Sequence, residues 1–187
     1  FLCYLLQREA PLPRLIKKYR PDVLGFQCYT FDLPYIRQAL RAAKEFNRAI
    51  VTVAGGPHPS ACPDEMMVKE PDLDFLFVGE AEIGLPELLE ALEKRKPDLS
   101  SIPGLVYRDG QRIRSNPRVV TADLDSLGLP AWDLIHPDRY PESQHGAFFK
   151  QFPIAPIMVT RGCPYPCTFC AGSIVSGKKV RHRSIAS

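Results

Sequence analysis

Residues 160–172 read Thr-Arg-Gly-Cys-Pro-Tyr-Pro-Cys-Thr-Phe-Cys-Ala-Gly and place Cys163, Cys167 and Cys170 in the spacing CxxxCxxC. Three thiols this close suggest a ligand set. A cubane iron–sulfur cluster is held by cysteine thiolates, usually four of them, and three would leave one iron with an open position. Gly162, Pro164 and Pro166 suit the tight loop that must turn three thiolates toward one cluster. Two other readings stay open on spacing alone. Structural zinc takes four ligands, typically from CxxC pairs, and the nearest further donor, His182, lies twelve residues beyond Cys170. A disulfide with one thiol left over is the other.

The remaining cysteines, Cys3, Cys28 and Cys62, are scattered among apolar residues, where free cysteine behaves as a small hydrophobe. No basic segment precedes an apolar one with a small-residue cleavage site, so no secretory signal is expected. A reducing cytoplasm is the expected setting, and clustered thiols there point to metal before disulfide. With 187 residues, 45% apolar and 24% charged, the composition is that of a soluble globular protein. A net charge of +3 is too small to argue for nucleic acid or an anionic membrane. No apolar run approaches the ~20 residues that span a bilayer. Lys178, Lys179, Arg181 and Arg183 read as a solvated charged surface. The sequence opens on Phe-Leu-Cys-Tyr-Leu-Leu without an initiator Met, which reads as a fragment or a trimmed chain.

The elements that must position these residues begin with three apolar, β-rich runs at 22–28, 49–55 and 73–79, each expected to be a buried strand. Residues 1–7 read as a further strand or the end of a helix. Between the runs, Ile36, Leu40, Ala43 and Phe46 share one face of a helix over 33–46, with Asp32 as N-cap. Leu85, Leu88, Leu89 and Leu92 do the same over 84–95. Shorter helices are expected over 12–19 and over 63–69, where Pro63 suits the first turn. Strands alternating with helices predict an α/β fold, a Rossmann-like doubly wound parallel sheet with the three strands adjacent.

After Pro97 the pattern changes. Residues 104–116 alternate around Asp109-Gly110, a hairpin signal. Residues 124–142 read as an ordered linker anchored by Trp132, and 155–160 start a new strand that delivers the cysteine loop at its carboxyl end. The expected divisions are 1–97, 98–152 and 153–187.

In an open parallel sheet, ligands bind beyond the carboxyl ends of the strands. Those ends carry Gln27, Cys28, Tyr29 and Thr30; Gly55, Gly56 and His58; and Gly79 and Glu80. Gly55-Gly56 lets backbone approach a ligand with no Cβ in the way. No GxGxxG and no GxxxxGK[ST] occurs, so a nucleotide is not the favoured ligand. A plain turn at Gly55-Gly56, with Glu80 as a helix N-terminal charge, explains the same residues without a ligand.

The order of the motifs PDVLGFQCYTFDLP, VAGGPHPSACPDE, DFLFVGEAEIGLPELLEAL, IPGLVYRDG, LDSLGLPAWDL and TRGCPYPCTFC resembles the cobalamin-binding radical SAM (S-adenosylmethionine) family over nearly the whole chain. The resemblance implies a Rossmann-like cobalamin domain followed by a partial TIM barrel, of which the first strand and the cluster loop are present. It implies that Gln27, Cys28, Tyr29, Thr30, Gly55, Gly56, His58, Gly79 and Glu80 line a pocket for the corrin and its nucleotide tail. Cys163, Cys167 and Cys170 would hold a [4Fe–4S] cluster whose open iron is chelated by SAM, with Phe169 beside the adenine. Reductive cleavage of SAM would give a 5′-deoxyadenosyl radical for C-methylation or anaerobic oxidative cyclisation of a small-molecule substrate. An external electron donor such as a flavodoxin or ferredoxin would feed the cluster.

Two departures from the family pattern stand out. None of His58, His136, His145 or His182 sits in Asp-x-His-x-x-Gly, so no histidine of this chain is expected on cobalt. The barrel also stops after one strand, so no catalytic residue is assigned and the chain alone is expected to be inactive. The alternatives are a methylthiotransferase-type radical SAM enzyme, with a second cluster on the N-terminal cysteines, and a non-catalytic corrinoid- or zinc-binding module.

Overall fold

The structure, a computed structural model, describes residues 12–94, 97–139, 142 and 149–185. The expected element at residues 1–7, with Cys3, lies outside the described residues, as does His145.

Helix α1 (Leu12–Tyr19) leads into strand β1 (Val23–Gln27), helix α2 (Leu33–Phe46), strand β2 (Val51–Gly55), helices α3 (Pro57–Ala61) and α4 (Pro63–Lys69), strand β3 (Phe75–Phe77) and helix α5 (Gly84–Leu92). Strands β1, β2 and β3 are neighbours and parallel, with Val23 opposite Val51 and Val53 opposite Phe75. The hairpin of β4 (Leu105–Asp109) and β5 (Arg112–Ser115) turns at Asp109-Gly110. It adds to β3 antiparallel, Phe77 opposite Leu105, and so completes a mixed five-stranded sheet in the order β1-β2-β3-β4-β5.

The sheet is apolar on both faces because alternate residues point to opposite sides. On one face Leu76, Ala54 and Val106 pack with Ile36 and Leu40 of α2 and with Met66 and Met67 of α4. On the other, Val53, Phe77 and Leu105 pack with Leu88 and Ala91 of α5. Helix α1 adds Leu12 and Ile16 against Leu24, Ala43 and Ile50. Helix α2 starts after Asp32, but no side-chain cap bond forms there. Asp32 instead accepts a hydrogen bond from the Tyr29 amide at 3.1 Å, which ties the β1 loop to the helix. Leu85 and Leu89 of α5 and Phe46 of α2, expected on buried faces, are partly exposed.

Beyond the hairpin, α6 (Trp132–Ile135) interrupts an irregular run that leads to β6 (Thr160–Arg161), α7 (Gly172–Ser176) and β7 (Arg181–His182). Strand β6 is shorter than the strand expected over 155–160. Ile157, Met158 and Val159 lie exposed, and the only partner that β6 has among the described strands is β7, at Thr160–His182 and Arg161–Arg181.

Candidate functional site

Two loops at the carboxyl ends of β1 and β2 are knitted by backbone. The Cys28 amide donates to the Gly55 carbonyl at 2.8 Å, and the His58 amide donates to the Cys28 carbonyl at 3.1 Å. Gly56 has φ of 107°, and a Cβ on it would lie 3.2 Å from both the amide nitrogen and the carbonyl oxygen of Cys28. The backbone angle, together with this close approach of two backbones, favours glycine here. Ser60 secures a third loop: its hydroxyl donates to the Gly56 carbonyl at 2.7 Å and accepts from the Gly79 amide at 3.0 Å. The sequence reading missed Ser60, because a serine in a short helix carries no signal of such a bridge.

The side chains on these loops are polar and aromatic. Thr30 Oγ1 and His58 Nδ1 lie 3.1 Å apart. The rings of Tyr29 and Phe31 stack with centroids 5.5 Å apart, and Gln27 Nε2 donates to the Tyr29 hydroxyl at 3.3 Å. Cys28 is different. It is fully buried in the apolar cluster below, and desolvation, with Asp32 and Glu70 adding to it, pushes its thiol up to about 12. Of the expected pocket residues, Gln27, Tyr29, Thr30, Gly56 and His58 line a cavity of about 830 Å3.

The opposite wall of that cavity comes from the cysteine loop and α7: Phe169, Cys170, Gly172 and Ile174 among others. Phe169 is 91% exposed. Cys62, missed by the reading of the pocket, lines the same cavity. Gly162 opens the cysteine loop with φ of 97°, and a Cβ there would lie 2.1 Å from the Lys179 carbonyl oxygen, so this position admits only glycine without a backbone shift. The Cys163 amide donates to the Gly177 carbonyl at 3.0 Å and the Cys170 amide to the Cys167 carbonyl at 3.3 Å. Cys170 Sγ accepts from the Gly172 amide at 3.3 Å. Cys163 is half-buried, whereas Cys167 and Cys170 are exposed. The three share one loop, but among the described residues no three His, Cys, Asp or Glu side chains are gathered as a metal site.

Glu80 points elsewhere. Arg181 grips it bidentately, Nη2 to Oε1 at 2.6 Å and Nη1 to Oε2 at 2.9 Å. That hydrogen bonding raises the Arg181 pKa, against the opposing effect of its burial. Arg181 is thus buried, where the tail was expected to be a solvated charged surface; a carboxylate on the sheet draws it in.

The donor chemistry fits two guests. Three thiols with no fourth local donor, one already receiving a backbone N–H, suit a cluster with an open iron. A cleft that needs glycine backbone at one wall and presents stacked aromatic rings beside it suits a large flat ring system.

Fold and site together define an α/β unit with a cleft at the carboxyl ends of its parallel strands, walled on its far side by a three-cysteine loop. Residues 6–89 match the B12 binding domain family. The chain is 31% identical over 177 residues to an uncharacterized methyltransferase of Pyrococcus horikoshii, covering 94% of this chain and 37% of that protein. It is 34% identical over 122 residues to the anaerobic magnesium-protoporphyrin IX monomethyl ester cyclase of a Synechocystis species, covering 65% and 23%. Among solved structures, it resembles the cobalamin-dependent S-adenosylmethionine radical enzyme OxsB with aqua-cobalamin and S-adenosylmethionine bound. There the TM-score is 0.73 at 19% identity, covering 97% of this chain and 24% of that one. The chain spans 22% to 39% of the length of the curated relatives it matches. It carries a B12 binding domain, and the relatives and structures it resembles include cobalamin-dependent radical SAM enzymes. No helix among the described residues is long and apolar enough to cross a membrane.

Proposed function

We propose that this chain is the cobalamin- and cluster-binding part of a radical SAM enzyme acting on a small molecule, by C-methylation or by anaerobic oxidative ring closure. The observation that carries the reading is the shared cavity: Gln27, Tyr29, Thr30, Gly56 and His58 from the sheet face Phe169 and Cys170 from the cysteine loop. The two guests would supply a 5′-deoxyadenosyl radical from SAM at the cluster and methyl or redox chemistry at cobalt. The chain's own part is to bind and orient. Gly55 and Gly56 keep side chains off the corrin, while the Thr30–His58 pair offers hydrogen bonds to its polar periphery. Cys163, Cys167 and Cys170 would hold the iron of the cluster, and Phe169 would lie beside the adenine of SAM. Gly79 and Glu80 lie beyond β3, outside the lining of this cavity, and Cys28 packs beneath the pocket floor. A flavodoxin- or ferredoxin-type donor would reach the exposed Cys167–Cys170 side of the loop, in the cytoplasm. The divisions 1–97, 98–152 and 153–187 are proposed as the cobalamin-binding, connecting and cluster-bearing parts. A second cluster on the N-terminal cysteines finds no support in Cys28, whose protonated thiol is sunk in the core.

Anaerobic iron and sulfide reconstitution with hydroxocobalamin titration tests this. One cluster of about four irons together with bound cobalamin is expected. Cys163→Ala, Cys167→Ala and Cys170→Ala should each lose the cluster, and Cys28→Ala and Cys62→Ala should each keep it. Two clusters without cobalamin would turn the reading to a methylthiotransferase, and neither guest would leave a non-catalytic module.

A further inference from the structure

The cysteine loop and α7 have almost nothing apolar to hold them against the sheet. Among the described residues after Leu124, Arg181 alone is buried. Its side chain and that of Glu80 are each 5% exposed. Arg181 reaches four acceptors on three segments. Besides both oxygens of Glu80, it donates to the Thr121 carbonyl at 2.5 Å, in the run after the hairpin, and to the Ser176 carbonyl at 2.8 Å, at the end of α7. Its cross-strand neighbour on β6, Arg161, lies immediately before Gly162 and Cys163. Arg161 pairs with Glu82 at 2.5 Å and approaches Glu80 at 3.6 Å. Two arginines side by side at the mouth of the cysteine loop are thus neutralised by two carboxylates two residues apart, just beyond β3. Arg118 adds a further donor, to the Ile174 carbonyl of α7. The last carbonyls of α7, which a helix leaves unpaired, are therefore taken by guanidinium groups anchored on the sheet side.

We infer that Glu80, seconded by Glu82, is a positioning residue that docks the cysteine loop and α7 onto the ligand end of the sheet through Arg181 and Arg161, and so builds the second wall of the cavity. This moves Glu80 from the corrin-contacting set to the joint between the two binding regions, and it rests on the proposed function only for what the cavity holds. Glu80 touches no guest in this role. The docking uses only atoms of this chain, and it places one wall of the cavity, so occupancy of the cavity and order in the loop are linked.

Hydrogen exchange on the protein without added cofactors tests the docking independently of any guest. In Glu80→Gln the amides of Cys163 and Val175 should exchange about tenfold faster or more, because a buried cation loses its counter-charge. The Cys28 and Val53 amides in the sheet should be unchanged. Arg181→Lys keeps the charge but not the two-pronged geometry, and should fall between wild type and Glu80→Gln. If Glu80→Gln also releases the sheet, Glu82→Gln decides. Glu82 is partly exposed, and its loss should speed exchange at Cys163 roughly threefold. Unchanged exchange at Cys163 and Val175 in Glu80→Gln, or at Cys163 in Glu82→Gln, overturns the inference. The reconstituted cluster provides a readout that mere folding would not move: Glu80→Gln should lower iron per chain and broaden the electron paramagnetic resonance signal, and Arg181→Lys should show a smaller change in both. Weakened hydroxocobalamin binding in Glu80→Gln with wild-type loop exchange would instead return Glu80 to the corrin pocket. Wild-type protein that takes up no cobalamin would defeat the proposed function while leaving the docking result standing.

Discussion

The sheet and the cysteine loop are held by different forces. The sheet buries apolar side chains on both faces, with Leu76, Phe77, Leu88 and Leu105 essentially sealed from water. The described residues from 149 onward bury one side chain, an arginine. Burial of apolar area is non-directional and collective, so the sheet forms one cooperative unit. A charge-assisted pair is directional and local, so the loop's position depends on a few atoms. Removing one guanidinium donor or one carboxylate acceptor can free the loop, whereas freeing the sheet requires opening its core.

The largest expected effect follows from the sheet side. Phe77→Ala empties a site between β3, α5 and the hairpin, and should cost about 3–5 kcal/mol. Because the segment that grips the arginines begins three residues after Phe77, the loop should lose its protection together with the sheet. Denaturant unfolding followed by circular dichroism and by loop exchange should therefore show loop protection lost no later than the sheet transition. A loop that stays protected when the sheet opens would break the comparison.

A smaller effect is expected from the loop side. Gly162→Ala sets a Cβ against the Lys179 carbonyl in a left-handed backbone, a strain of about 1–3 kcal/mol. The loop should open at its base, and trypsin should cut faster at Lys178 and Lys179. The denaturation midpoint of the sheet should hardly move. An equal loss of stability in the sheet would show that the two regions are one cooperative unit.

The same contrast explains what could be read from the residues alone. Strand and helix periodicity is imposed by a two-sided apolar core, so 12–19, 33–46, 63–69 and the three strands appear where the patterns put them, and Asp109-Gly110 turns the hairpin. That the hairpin extends the sheet was not legible, since alternation tells that a strand pairs and not with whom. The loop's chemistry was legible in its cysteine spacing, but its docking was not. Arg181 and Glu80 are a hundred and one residues apart, and a charged residue in a basic tail gives no sign of a buried partner. Strand β6 fell short of its expected length because an apolar run becomes a strand only beside another strand.

The smallest effect sharpens the comparison from within the core. Among the described residues Cys28 is the one thiol that belongs to the core of the sheet, with its pKa raised from an ordinary 9.0 to about 12. Between those values the unfolded thiol has lost its proton while the folded one keeps it. The unfolded state then binds fewer protons, so stability falls as pH rises, by at most about 1.4 kcal/mol per unit. Below the unfolded value both states are protonated and the group adds no pH dependence. Cys28→Ala should cost about 1 kcal/mol through the small cavity it leaves. That cost should shrink above roughly pH 9, because the wild type alone carries the penalty of a buried thiol facing alkali. Urea unfolding of both proteins from roughly pH 8 to 11, where the stability difference is expected to narrow and then reverse, is the measurement. A difference that stays constant across that range would place Cys28 in contact with water, and would move it from the core to the cavity above it.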